Sequence, residues 1–344
     1  MNTSKPTSVE TGADPSGVPM EKKVDIKNSL LLQLESMRPM FVLFSKTMSD
    51  LFSVKKFIIV LALMSVFPLL LALGSIAGTN FGALPIYSAS MKLNFSVLTN
   101  FYLWTLGLIL ALIVGGNSAG LIADEVDRGT MLILVSKPIG RFQIFLGKYL
   151  AVFSFGALLS FLSIFITAWM LVLLTSGNLV HFIGMLPFLM IVFSYSLFIE
   201  AIFLTISMAL SSIMSRGRKV VIIIMFLVIM TYFGFLIIRT LFYQYYEVFS
   251  LYYFDIGYHL ANVFVFIIDI TNVLPSSSLW QQEFDLATGV FKGTSIDSSQ
   301  GIELGGLELV GYVPPIISLL LWSGLTALLL IFGLIKLKTK EISN

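Results

Sequence analysis

Residues 149–199 read YLAVFSFGALLSFLSIFITAWMLVLLTSGNLVHFIGMLPFLMIVFSYSLFI and contain no formally charged side chain over 51 positions. A membrane-spanning helix needs about 20 mostly apolar residues, so this run is too long for a single crossing. Turn-forming residues interrupt it at Thr175-Ser-Gly-Asn178. The stretch therefore predicts two consecutive spans, near residues 149–174 and 183–210.

Four further apolar runs have a suitable length, at residues 57–73, 101–119, 220–238 and 315–335. The whole chain of 344 residues is 57% hydrophobic and only 12% charged, whereas soluble domains carry roughly 25% charged residues. This composition excludes a soluble enzyme and a nucleic-acid-binding domain. The sequence predicts an all-α polytopic membrane protein whose six transmembrane helices occupy residues 57–335.

Lysine and arginine predict the orientation, because they concentrate in cytoplasmic loops. Of the 21 such residues, all but Lys92, Arg239 and Lys292 lie before the first span, between spans two and three, between spans four and five, or after span six. Both termini, including the tail 336–344, are therefore expected in the cytoplasm, with the protein in the cell (plasma) membrane. A seventh span over 248–268 is rejected, because it would move the C-terminal lysines outside; that stretch is instead predicted to be interfacial or re-entrant.

The remaining segments lie outside the predicted spans. Residues 1–28 are polar and are predicted to be a disordered cytoplasmic tail. Residues 29–56 form a predicted interfacial region, with an amphipathic helix over 39–52. The outer segment 240–313 is acidic, and its second half, 281–311, predicts a small lobe of strands and turns. His181 is expected on a short outer loop, and Asn94-Phe-Ser, also expected on an outer loop, matches a glycosylation acceptor.

Signatures of catalysis are largely missing from the sequence. There is no cysteine, and the two histidines, His181 and His259, share no metal-ligand spacing. The segment from Gly140 to Lys148 has six residues between its glycines, where a phosphate-binding loop has four. We therefore expect no cofactor and no metal on this chain, and any ATP that drives it would be bound by another polypeptide.

Glu200 is the only formal charge well inside a predicted span. A carboxylate in hydrocarbon is costly, so such residues usually face a cavity or a partner. Two interpretations remain open. Glu200 lies on a substrate or ion path, or it is a structural residue that pairs with Ser or Tyr neighbours at a helix contact or stays protonated.

The loop between spans two and three reads GLIADEVDRGTMLILVSKPIGRFQIFLGK over residues 120–148. Its acidic cluster ends a membrane helix, Gly129 permits a sharp turn, and Thr130 can cap a short apolar helix that stops before Pro138. A short apolar helix is a poor free surface in water. This segment is therefore predicted to dock onto a partner protein.

This loop resembles that of the permease subunits of type-2 ATP-binding-cassette (ABC-2) transporters. Glu125, Gly129-Thr130, Pro138, Arg141 and Gly147-Lys148 match the family pattern in order, although Gly140 stands where Ser or Thr is commoner. The six spans, the amphipathic helix and the large outer segment fit the same layout.

The resemblance implies a coupling helix between spans two and three, resting on a separate cytoplasmic ATP-binding subunit that binds ATP and Mg. It also implies a homodimer or heterodimer of permeases, usually working as an exporter. The expected coupling residues are Asp124, Glu125, Gly129, Thr130, Leu134, Pro138, Arg141 and Lys148.

Two other functions remain open from the residues alone. The first is a membrane-embedded enzyme or proton-coupled transporter that uses Glu200 as its working acid. The second is a membrane scaffold that transports nothing. The lipid bilayer is a partner under every interpretation, and nucleic acid under none.

Overall fold

The computed structural model describes residues 37–131, 139–269, 287–290 and 310–339. These residues are mostly helical and contain no strand. Six helices are long and apolar enough to cross a membrane, which confirms the predicted fold class. They are α2 (Val54–Ser75), α3 (Ile86–Asp127), α4 (Arg141–Thr175), α5 (Leu179–Ile213), α6 (Gly217–Arg239) and α8 (Pro315–Thr339). Two other helices are not among these six: α1 (residues 37–51) precedes α2, and the shorter α7 (Ile256–Asp269) precedes α8.

Each helix extends beyond the apolar run that predicts it. The largest difference is at the second span, predicted over 101–119 and observed as the 42-residue helix α3. An apolar run marks only the part suited to hydrocarbon, whereas a helix satisfies its own backbone groups and can continue through polar residues. The break between α4 and α5 is three residues long. Gly177 has a φ of 59° there, and the Asn178 side chain accepts a hydrogen bond from the Val180 N–H.

Pro68 interrupts the backbone hydrogen bonds of α2. Proline has no N–H, so the carbonyl four residues earlier, that of Met64, loses its helical donor. The Thr105 hydroxyl on α3 donates to this carbonyl at 3.0 Å, and the Trp104 indole N–H donates to the adjacent Leu63 carbonyl at 3.0 Å. Side chains of α3 therefore donate hydrogen bonds to carbonyls of the helical turn that precedes the proline.

Helix α5 lies at the centre of the bundle and packs against α3, α4 and α8. Serines allow α3 and α5 to approach closely, because they are small and can bond to a neighbouring backbone. Ser207 donates to the Gly115 carbonyl at 2.6 Å, and Ser211 donates to the Ala119 carbonyl at 2.7 Å. These bonds hold α5 and the second half of α3 in one register.

Helix α7 occupies the stretch for which a seventh span was rejected. Its 14 residues reach about 21 Å, less than the hydrocarbon thickness of about 30 Å. Asp255, directly before it, is fully buried, accepts a hydrogen bond from the Tyr246 hydroxyl at 3.0 Å and lies 3.5 Å from Arg239. Burial raises the pKa of Asp255, and the Arg239 guanidinium opposes that rise.

Two expectations are wrong, and a third is not tested by the described residues. His181 lies in the first turn of α5 and is 5% exposed, so its assignment to a surface loop is wrong. Asn94 is 3% exposed within α3, and a buried helical asparagine cannot accept a glycan in this fold. The predicted lobe over 281–311 falls almost wholly outside the described residues.

Candidate functional site

The predicted coupling residues cluster where α3 ends and α4 begins. We call this end of the bundle the motif face, and the end that carries α7 the opposite face. Helix α1 packs here too, across the start of α4. A Cβ on Gly147 would come within 2.9 Å of the Met40 carbonyl oxygen, so the absence of a side chain permits this contact. The predicted position of α1 in the membrane interface remains a prediction.

Glu125 and Lys148 form an ion pair between the end of α3 and the start of α4. The Lys148 side chain is 3% exposed and that of Glu125 is 32% exposed. The ammonium group also donates to the Leu121 carbonyl at 2.6 Å. A buried ammonium is tolerated when it is both paired and hydrogen-bonded, and Lys148 meets both conditions.

Asp124 joins α3 to α6. Its carboxylate accepts a hydrogen bond from the Gly217 N–H at 2.7 Å, in the first turn of α6. A carboxylate at this position satisfies a backbone donor that has no partner within its own helix, and it also interacts favourably with the helix dipole. The two helices nearly touch here, since a Cβ on Gly217 would lie 2.7 Å from the Gly120 Cα.

Gly129 forms the turn that follows α3. Its φ of 70° lies in the left-handed region that glycine adopts without strain. The Thr130 hydroxyl donates back to the Glu125 carbonyl at 3.2 Å, and helical structure resumes at residues 130–131. Leu134 and Pro138 lie outside the described residues, so the coupling helix between them remains a prediction.

Arg141 joins the start of α4 to the end of α8. Its Nη1 donates to the carbonyls of Leu337 at 2.9 Å and Lys338 at 2.7 Å. The last carbonyls of a helix lack intrahelical donors, and a cation among them is stabilising. Beside this contact lies a crevice of about 540 Å³, with the exposed Phe142 on its wall.

The structure thus brings Asp124, Glu125, Arg141 and Lys148 to one end of the bundle, where their contacts join α3, α4, α6 and α8. Sequence reasoning identified these side chains but missed their partners. Most of those partners are backbone groups, at Leu121, Gly217, Leu337 and Lys338, and a backbone group carries no signal in the sequence.

Glu200 is not part of this cluster. It lies on α5, is fully buried, and its carboxyl oxygens have no side-chain hydrogen-bond partner among the described residues. Gly156 on α4 faces it so closely that a Cβ there would overlap Oε1. The proposed pairing with Ser or Tyr neighbours is therefore not observed. Within the described part of the chain, no group of three acidic, His or Cys residues could hold a metal ion.

Comparison with known proteins gives a local and a global similarity. Over 85 residues the chain is 38% identical to the uncharacterized protein YhcI of Bacillus subtilis (strain 168), a match covering 25% of this chain and 23% of that protein. The family model described as "ABC-2 family transporter protein" matches residues 41–341. This match spans all six membrane helices and the motif face. The chain therefore belongs to the ABC-2 family and is a multi-pass membrane permease component of an ABC transporter.

Proposed function

We propose that this permease is the membrane subunit of an ATP-driven exporter in the plasma membrane. In this proposal the motif face and both termini are cytoplasmic. Segment 124–141 docks onto a separate ATP-binding subunit, which holds ATP and Mg. The observation that carries the proposal is the arrangement of the residues flanking the predicted coupling helix, because their contacts reach four different membrane helices.

The contacts suggest how a movement of the docked segment would spread. A displacement on the Glu125 side reaches α4 through Lys148, and reaches α6 through the neighbouring Asp124. A displacement on the other side reaches α8 through Arg141. Rigid helices joined by such contacts can carry a shift from one end of the bundle to the other. The working unit would contain two permeases, as a homodimer or heterodimer.

A second candidate function, a proton-coupled transporter, is favoured by one observation. Glu200 combines complete burial with the lack of a side-chain hydrogen-bond partner among the described residues. Intramembrane carboxyl groups of this kind are typical of ion or substrate paths. We place Glu200 on the translocation path under both candidates.

Affinity purification of the full chain in mild detergent tests the proposal. We expect a cytoplasmic ATPase to co-purify, and Leu134→Asp to abolish its binding by placing a carboxylate in a desolvated contact. Val248→Asp is the matched control, because Val248 is 77% exposed and outside the six spans, near the opposite face. If Leu134→Asp keeps the ATPase and full transport, the coupling assignment is wrong.

A further inference from the structure

A cleft of about 240 Å³ opens between α3 and α5 on the opposite face, far from the coupling residues. This volume is below the roughly 300 Å³ at which pockets for drug-sized ligands begin. The cleft therefore suits a small polar group, such as the head of a larger amphiphile. Its lining is Tyr87, Ser90, Met91, Asn94, Gly184, Pro187 and Phe188.

The inner part of the cleft offers a buried amide with unused hydrogen-bonding capacity. Asn94 is 3% exposed, and its Oδ1 has no hydrogen-bond partner among the described residues. Ser90 is also buried, but its hydroxyl already donates to the His181 carbonyl at 3.2 Å. A buried acceptor without a donor costs free energy, and a half-turn of the amide that brings Oδ1 to the cleft would let a ligand hydroxyl supply the donor.

The chemistry of the lining favours an uncharged, hydroxyl-bearing group. No lining residue has a formal charge, so an ammonium or phosphate placed beside Asn94 would be desolvated without a counter-ion. A hydroxyl both donates and accepts, so it satisfies either end of the amide. Charged parts of the ligand would remain at the mouth, beside Tyr87, which is 70% exposed.

The rim continues from the cleft as an apolar stripe along α5. Ile183, Pro187 and Met190 have the i, i+4, i+7 spacing of one helix face, and Ile183 and Met190 are both more than half exposed. Because α5 begins at Leu179, Met190 lies about 10 Å further along the helix towards the motif face than Ile183. An acyl chain can follow this stripe while the head group occupies the cleft.

We propose that the cleft between α3 and α5 binds a membrane lipid whose head group carries free hydroxyls, with the glycerol of phosphatidylglycerol as a suitable example. Asn94 recognises the hydroxyls, and the stripe from Ile183 to Met190 receives one acyl chain. This site is independent of the proposed ATP coupling. It does not require that the lipid be transported.

Native mass spectrometry of the detergent-purified full chain tests the proposal by lipid titration. Phosphatidylglycerol is compared with phosphatidylmethanol, which has the same charge but no free hydroxyl. We expect about tenfold tighter binding of phosphatidylglycerol, as one hydrogen bond to a buried amide would provide. A neutral glucosyl diacylglycerol should compete with it. Equal binding of phosphatidylglycerol and phosphatidylmethanol would overturn the proposal, as would failure of the glycolipid to compete.

Single substitutions test whether Asn94 causes the preference for phosphatidylglycerol over phosphatidylmethanol. Asn94→Leu has a similar shape without hydrogen-bonding atoms, and it should abolish the preference while leaving phosphatidylmethanol binding unchanged. Asn100→Leu, on the same helix but outside the cleft, is the matched control and should retain the preference. Retention by Asn94→Leu or loss in Asn100→Leu contradicts the assignment. Tyr87→Ala gives a second test that remains usable if Asn94→Leu does not fold, because Tyr87 is an exposed residue of the cleft wall. It should weaken phosphatidylglycerol binding severalfold, and unchanged binding would place the lipid elsewhere.

Discussion

The ion pair between Glu125 and Lys148 gives an asymmetric prediction, because its two members differ in exposure. Glu125→Leu leaves the ammonium of Lys148 buried, with a side chain only 3% exposed. Breaking a buried pair in this way costs about 3–5 kcal/mol. Lys148→Met leaves a carboxylate whose side chain is 32% exposed and can regain water, so about 1–2 kcal/mol is expected.

The double variant Glu125→Leu/Lys148→Met should be much less unstable than the two single changes would predict together. It removes both charges and fills the space with apolar groups, a replacement that is often neutral. Wild type and the double variant should have similar, highest stability. Lys148→Met should be less stable than both, and Glu125→Leu should be the least stable. If the double variant is as stable as wild type, the coupling free energy between the two sites equals the sum of the two single losses, about 4–7 kcal/mol.

Thermal unfolding of the detergent-purified protein, followed by fluorescence-detected size exclusion, measures this order. Arg216→Met is a suitable control, because Arg216 lies 3.9 Å from Asp127 in an exposed ion pair, with side chains 68% and 48% exposed. Such pairs contribute about 0–1 kcal/mol, so the transition should move little. Equal losses for Glu125→Leu and Lys148→Met, or strictly additive losses in the double variant, would refute the reasoning from burial.

Three further predictions concern topology, force transmission and the buried acid. Single cysteines in the naturally cysteine-free chain should react with an impermeant thiol reagent from outside at Asp297→Cys and not at Arg218→Cys; the reverse pattern contradicts the proposed topology. Arg141→Gln removes the cation from the end of α8 and should lower ATP-dependent transport severalfold while ATPase co-purification stays normal; unchanged transport would exclude this contact from the mechanism. Glu200→Gln keeps the side-chain shape without its ionisation and should impair transport in proteoliposomes more than it impairs assembly, whereas wild-type transport would make the residue structural.

The six spans could be predicted from the sequence, because the length of an apolar run is a local property. The same holds for the turn at Gly129, which depends on one residue's backbone freedom. Side-chain burial depends on where neighbouring helices lie. His181 and Asn94 looked like residues of outer loops, but α5 and α3 extend far enough to enclose both.

The contacts of the motif face were beyond sequence reasoning for a different reason. The pattern identified Lys148 and Arg141 as important cations, but not that one would be buried and the other would bind the end of α8. The carbonyls of Leu121 and Leu337 would be present with any side chain at those positions. Only the packing of the helices brings these carbonyls within reach.

The contact at Pro68 also constrains how this sequence can change. With proline at this position, the Thr105 hydroxyl supplies the donor that the Met64 carbonyl lacks. An alanine at position 68 would restore the helical N–H, and Thr105 could then be lost with little effect. With Pro68 in place, Thr105→Val leaves a buried carbonyl without its donor. Substitutions at these two positions should therefore accumulate in a fixed order among descendants of this protein, with the proline replaced before the threonine.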